Sequence, residues 1–301
     1  MEGILLIDKP QGFTSFDVVA KLRGILGIRR VGHAGTLDPM ATGVLPVFVG
    51  GATRAMNLLP DTRKRYTAFL RLGIITDTQD FTGSILETRP VAVGTGAVES
   101  ALDGFRGRYM QIPPMYSAVK INGKKLYELA RKGQEIERKP RPVIIEEITL
   151  LDSVEESGDY VINVLCSGGT YIRTLCHDLG EKLGCGAVLT GLRRTMAAGF
   201  PIQDCITIEQ AQALVDSGSL AQMLISVERI FEAYPRLDLD QRQERLFRNG
   251  VRLALLSPGE SGETKRCRVY DAGGDFFAVA DIDIASGVLI SRKMFGGGEA
   301  L

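Results

Sequence analysis

The sequence predicts a mixed-sheet α+β fold (mixed α/β), on three observations. Apolar runs of strand length are interrupted by helix signals, without the strict alternation of a parallel barrel. Residues 106–142, rich in cations and tyrosines, are bracketed by prolines. After about residue 232 the chain breaks into short strand-like runs. A length of 301 residues suits one large domain plus a smaller one. The expected division is 1–232, carrying 106–142 as an insertion, and 233–301, a small β-rich unit.

Taken in order, "GILLI" (3–7) is short, apolar and followed by Lys-Pro, which reads as a strand. Ser15 is placed to cap a helix in which Val18, Val19, Leu22, Ile25 and Leu26 recur at helical spacing and Gly27 marks the end. "VLPVFVG" and "RYTAFLRLG" follow as strands, and in the second Tyr66, Ala68, Leu70 and Leu72 fall on one face. Pro113-Pro114 opens an excursion from the core, and Pro140 and Pro142 close it. Its cations, interleaved with Tyr109, Tyr116 and Tyr127, suit a surface that grips phosphates and packs against bases. Strands resume at "PVIIEEITLL" and "YVINVLC"; "SGGTYIRTLCHDLGEKLGCG" reads as a helix with Gly184 near its end. Beyond residue 232, "YPRLDLDQ" reads as a connection, "RQERLFRNGVRL" as a short helix, and "RCRVYD", "FFAVADID" and "GVLISRKMF" as strands. The final "FGGGEAL" reads as a frayed end.

Composition excludes several classes. No apolar run approaches bilayer length and "MEGILLIDKP" is no secretory signal, so a cytoplasmic location is expected. Cys166, Cys176, Cys185, Cys205 and Cys267 show no C-x-x-C spacing and read as buried free thiols. His33 and His177 lie far apart, so no metal site is expected. Net charge is zero, yet residues 1–141 hold 21 basic and 13 acidic residues while 142–301 hold 15 and 23. Such asymmetry points to a polyanionic partner more than the sum argues against one.

The stretch "RVGHAGTLDPMATGVLP" (30–46) places a histidine, three glycines and one carboxylate close together. It lacks the endings of a P-loop or a dinucleotide site, and no G-x-S-x-G elbow occurs in the chain. In "LDPMATG", Asp38 can cap a helix begun by Pro39 and ended by Gly43; from those residues alone the cap is the stronger reading. His33 and Asp38 among small neighbours also leave room for a ligand to approach the backbone. One carboxylate is too few for ordinary glycoside hydrolysis. The residues by themselves reach a candidate active-site loop and a polyanionic partner.

As a whole the stretch resembles the signature of the bacterial tRNA pseudouridine-55 synthases of the TruB type. "KRYTAFLRLGIITDTQDFTG", "QIPPMYSAVKINGKKLYELARKG", "SGGTYIRTLCHDLGEKLGCGA" and "LTGLRRTMAAGF" agree with that family in order and spacing. The resemblance covers residues 3–232. The tail "LFRNGVRL…VYDAGGDFFAVADID…GVLISRKMF" looks like the small PUA-type RNA-binding domain of these enzymes.

The resemblance implies an isomerisation that consumes no water, metal, nucleotide or redox cofactor, for which one aspartate suffices. It makes Asp38 the nucleophile and Arg173 its ion-pair partner, which would keep the carboxylate charged and oriented. Tyr66 would stack on the target base and take part in proton transfer, Tyr171 and Leu192 would enclose the uracil, and His33 would fill the space left by a flipped nucleotide. Asp80 matches an acidic position of the family, with a turn-forming aspartate as the competing reading. Segment 106–142 would be a thumb closing over the T arm of tRNA, with Lys120, Lys124, Lys125, Arg131 and Lys132 on phosphates. A monomer needing no protein partner is expected. The rival readings are an RNA-binding protein that helps tRNA fold, with modification incidental, and a nucleoside hydrolase that releases free uracil.

Overall fold

In the computed structural model, residues 1–121, 123–255 and 263–295 are described; of the terminal "FGGGEAL", residues 296–301 lie outside the described residues. Strand β1 (Gly3–Lys9) leads into helix α1 (Ser15–Leu26), which Gly27 ends in the left-handed conformation at φ 65°. Thr14, not Ser15, caps this helix, through a capping box with Asp17. Ser15 therefore has its hydroxyl free to bond outside the helix, to the Leu37 backbone. Strands β2 (Val31–His33) and β3 (Thr42–Val49) follow, then β4 (Lys64–Leu72) and a two-stranded hairpin of β5 (Ile74–Thr76) and β6 (Ile85–Thr88). Helix α2 (Thr95–Asp103) precedes β7 (Gly107–Gln111).

The excursion then runs through β8 (Lys120–Ile121), β9 (Lys124–Lys125) and α3 (Leu126–Ala130) before β10 (Arg141–Val154) and β11 (Asp159–Cys166). The expected bounds of 106–142 overstate it: β7 pairs with the start of β10, Arg141 opposite Gln111, so only 112–140 leave the sheet, close to the prolines at 113–114 and 140. Helix α4 (Ile172–Lys182), β12 (Ala187–Ala197), β13 (Phe200–Pro201) and α5 (Ile208–Asp216) complete the larger part. The C-terminal part contains β14 (Arg236–Asp238), α6 (Gln241–Arg248), β15 (Leu253–Ala254), β16 (Thr264–Tyr270), β17 (Phe276–Asp283) and β18 (Val288–Met294). Two readings change here. "YPRLDLDQ" is more than a connection, because Arg236–Asp238 adds to β16 in parallel. The helix in "RQERLFRNGVRL" stops at Arg248, where Gly250 turns at φ 81° and frees Leu253–Ala254 to pair with β18.

The large sheet is mixed, ordered β1-β3-β12-β4-β11-β10-β7, with β2 on β3 and β13 on β12. Only β12–β3 is parallel. Strand alternation sorts the side chains. Leu5, Ile7, Leu45 and Val47 meet α1 and α5, whereas Ile4, Leu6 and Phe48 on the opposite face meet Phe231, Val279 and Phe295. On β4, Tyr66, Ala68, Leu70 and Leu72 face a core closed by α2 and α4. The second sheet, β14-β16-β17-β18-β15, has its own core around Phe247, Cys267 and Leu289.

One topological detail positions the site. Strand β3 carries two neighbours on the same edge: β2 opposite Val47–Val49 and β12 opposite Thr42–Gly43. These two arms diverge, and the β2–β3 connection, residues 34–41, spans the mouth of the fork.

Candidate active site

Asp38 stands in that connection, and both its neighbours are fastened. Ser15, buried, accepts the Leu37 N–H at 2.8 Å and donates its hydroxyl to the Leu37 carbonyl at 3.2 Å. The Pro39 carbonyl accepts the Gly12 N–H at 2.8 Å and the Lys9 ammonium at 3.4 Å. The cap reading of "LDPMATG" does not hold. The Asp38 carbonyl closes a single turn with the Ala41 N–H at 3.1 Å, no helix follows, and the carboxylate points elsewhere. Gly43 does not end a turn either; it lies in β3 at φ 105°, where a Cβ would fall 2.1 Å from the Arg194 carbonyl oxygen.

The carboxylate meets Arg173, whose Nε lies 2.9 Å from Asp38 Oδ2. Arg173, only 5% exposed in its side chain, enters from the first turn of α4. Its Nη1 donates to the Thr78 carbonyl at 2.9 Å and lies 3.6 Å from Asp80; Nη2 donates to the Tyr116 carbonyl at 2.8 Å. The guanidinium thus joins the Asp38 loop, the turn after β5 and the excursion. Asp80 satisfies both of its readings: Oδ1 accepts from Thr78 Oγ1 at 2.8 Å and the Thr82 N–H at 3.0 Å, holding its own turn, while Oδ2 faces Arg173.

Tyr66 and Leu192 line the same core wall, from β4 and the neighbouring β12. Burial pushes the Tyr66 phenol pKa up, and the adjacent Arg194 guanidinium partly opposes that. Tyr171 sits at the start of α4, clamped by Gln111: its N–H donates to Gln111 Oε1 at 2.8 Å and its carbonyl accepts from Gln111 Nε2 at 3.0 Å. His33, at the end of β2, is half-buried; burial first and Arg194 second lower its pKa. Lys120, Lys124, Arg131 and Lys132 are exposed on the excursion; Lys125 and Arg131 each lie 5.4 Å from the Tyr127 ring. None of these five touches Asp38.

Three buried or half-buried cations beside the site escaped the sequence reading. Lys9 donates to the carbonyls of Pro10 and Phe13 at 3.0 and 2.6 Å; burial lowers its pKa to about 8 against the opposing pull of Asp38. Arg194 is fully buried, with Nε on the Val44 carbonyl at 2.7 Å and Nη2 on the Gly35 carbonyl at 2.8 Å, so it stitches the two arms of the fork. Lys64 has its pKa lowered by burial and then by Arg194. They stand in "DKP", "KRY" and "LRRT" in the sequence, and none of these patterns separates a buried cation from a surface one. Four of the five cysteines are buried and Cys205 is half-buried; all are free. No group of three or more metal-ligating side chains occurs among the described residues.

Residues 23–172 match the family model described as TruB family pseudouridylate synthase (N terminal domain), and 173–232 match the tRNA pseudouridylate synthase B C-terminal domain. The tRNA pseudouridine synthase B of Clostridium kluyveri is 42% identical over 283 residues, 93% of this chain and 95% of that one. That of Alkaliphilus oremlandii is 52% identical over 214 residues, 71% of each chain. A chain in the crystal structure of a Cbf5-Nop10-Gar1 complex superimposes with a TM-score of 0.73 at 25% identity, over 98% of this chain and 85% of that chain. The fold is that of a pseudouridine synthase, and the relatives make the chain an isomerase of that class. Within that class, the chain belongs to the TruB family.

Proposed function

We propose that the chain converts a uridine in the T loop of tRNA, at position 55, to pseudouridine, with Asp38 as nucleophile. The relatives are tRNA pseudouridine synthases, which supports tRNA as substrate. The observation that carries the mechanism is the Asp38 carboxylate, 38% exposed, held at 2.9 Å by an arginine that is itself 5% exposed. It combines an accessible nucleophile with a rigid, charged backing.

The reaction breaks the bond from uracil N1 to the ribose, turns the base and joins C5 to the same ribose carbon. C5 loses a proton and N1 gains one, so the atoms balance without water. Asp38 supplies the nucleophile and Arg173 keeps it aimed. Tyr66 stacks on the base and assists proton transfer, Tyr171 and Leu192 enclose the uracil, and His33 fills the vacated stack. Flipping a nucleotide costs a few kcal/mol, and stacking on an aromatic ring returns about 1–3 kcal/mol. The excursion within 106–142 closes over the T arm, with Lys120, Lys124, Lys125, Arg131 and Lys132 on phosphates. Residues 1–232 form the catalytic domain and 233–301 a PUA-like RNA-binding domain. The enzyme works as a cytoplasmic monomer without a protein partner.

The test is incubation of the purified chain with an unmodified tRNA transcript, followed by mapping of pseudouridine. Conversion confined to position 55 is expected. Release of free uracil would indicate a hydrolase, and binding that refolds tRNA while every uridine stays unchanged would indicate a chaperone; either overturns the reading.

A further inference from the structure

The fork between β2 and β12 borders a half-open cavity of about 350 Å³ whose walls include His33, Gly35, Met56, Asp61, Lys64 and Ala198. No role assigned above accounts for its charge. A Cβ on Gly35 would lie 3.5 Å from Lys64 Nζ and 3.3 Å from Arg194 Nη1, so both cations converge over one glycine. Arg194 Nη1 is buried and has no hydrogen-bond partner among the described residues, with the Tyr66 phenol beside the guanidinium. Lys64 has no carboxylate partner among the described residues, and the wall's own acid, Asp61, is taken by Arg63 through contacts of 2.9 and 3.0 Å.

The imbalance extends to the neighbouring site. Lys9, Lys64, Arg173 and Arg194 form one cluster with three carboxylates, Asp38, Asp80 and Asp17, the last acting on Lys9. A cation held away from water without a counterion is costly, and an entering anion relieves that cost. Gly35 is three residues from Asp38, so an anion here would adjoin the reacting nucleotide.

We propose that this cavity is a phosphate subsite: Lys64, backed by Arg194, receives an RNA backbone phosphodiester next to the target uridine. This rests on the reading of the chain as an RNA-modifying enzyme. Gly35 keeps the subsite open, because any side chain there would press on both cations. Asp61, neutralised by Arg63, does not repel the incoming phosphate.

The test uses a T-arm stem-loop RNA, natural or carrying one neutral methylphosphonate linkage on the 5′ or the 3′ side of the target uridine. The parent enzyme is expected to bind one of the two neutral RNAs about tenfold more weakly, the size of one charge-assisted contact. Lys64→Met should bind the natural RNA about tenfold more weakly, lose nothing further with that neutral linkage, and show a log Kd against log salt slope shallower by about 0.7. Its KM should rise more than its kcat falls, and Lys64→Arg should restore binding. Equal losses for parent and Lys64→Met at both neutral linkages would overturn the subsite. So would competition by inorganic phosphate in the parent together with no cost from either neutral linkage, which would assign the cavity to a free anion. If the parent forms no pseudouridine in the natural stem-loop, it is the functional reading that fails.

Discussion

Asp38 owes its position to residues on either side of it rather than to its own turn. Leu37 is fixed by Ser15 and Pro39 by Gly12 and Lys9, so the carboxylate reaches Arg173 from a backbone that has little freedom. Lys9 gives this a pH signature. Its folded-state pKa of about 8 lies below the ordinary 10.5. Between those values the unfolded chain binds more protons, so stability rises with pH across about 8 to 10.5. The penalty is fully present below the window and absent above it. Thermal midpoints of the parent measured against Lys9→Met should therefore climb through that range; a constant difference would mean that the Lys9 amine is not buried as described. A second expectation concerns Gln111. Gln111→Ala strands the N–H and carbonyl of Tyr171 and should cost about 2 kcal/mol in urea unfolding, whereas a change below 0.5 kcal/mol would mean that water replaces the clamp. The stretch holding Asp38 was visible in the sequence, as a cap from its own residues and as a nucleophile only through the family resemblance. Ser15 and Thr14 are both good capping residues, and only the distant Leu37 decides that Ser15 serves the loop.

Among the elements, the parallel contact of β12 with β3 matters most, because it splits the sheet edge into the fork. It requires that Gly43 sit against the Arg194 backbone, closer than any side chain allows. Gly43→Ala combines that clash with a positive φ and should destabilise the fold by about 3 kcal/mol or more. A variant that unfolds at the parent's urea midpoint would contradict the crossing. Periodicity made α1, β4, β10, β11 and the three late strands legible, since each buries one face or two against a known partner. It could not reveal β14 or β15, which have three and two residues and exist only through pairing with β16 and β18. Nor could it place Arg194, whose partners Val44 and Gly35 lie about 150 residues away.

At the scale of the molecule, the two sheets are not independent. Phe231 packs with Phe276 and Phe295 of the C-terminal part and shares a cluster with Ile4, Leu6 and Phe48 of the large sheet. Phe231→Ala should cost about 3–5 kcal/mol and lower the melting of both parts together. A loss confined to one part would show that the cluster does not couple them. The excursion has the opposite character, with exposed cations and little shared core. Charge reversal at Lys124 and Lys125 should weaken tRNA binding and flatten its salt dependence, and an unchanged slope would remove them from the phosphate contacts. The division into a larger and a smaller part was legible because composition changes near residue 232; the cluster joining them was not, since neither phenylalanine run names its partner.

The most direct measurement is on Asp38→Asn. The amide keeps the shape of the side chain and leaves the turn to Ala41 intact, so a loss of chemistry cannot be ascribed to a lost turn. The account predicts that pseudouridine formation in an unmodified tRNA transcript falls by on the order of a thousandfold or more while tRNA affinity stays within about threefold, under 1 kcal/mol. Modification at the parent rate by Asp38→Asn would contradict the assignment of Asp38 as the nucleophile.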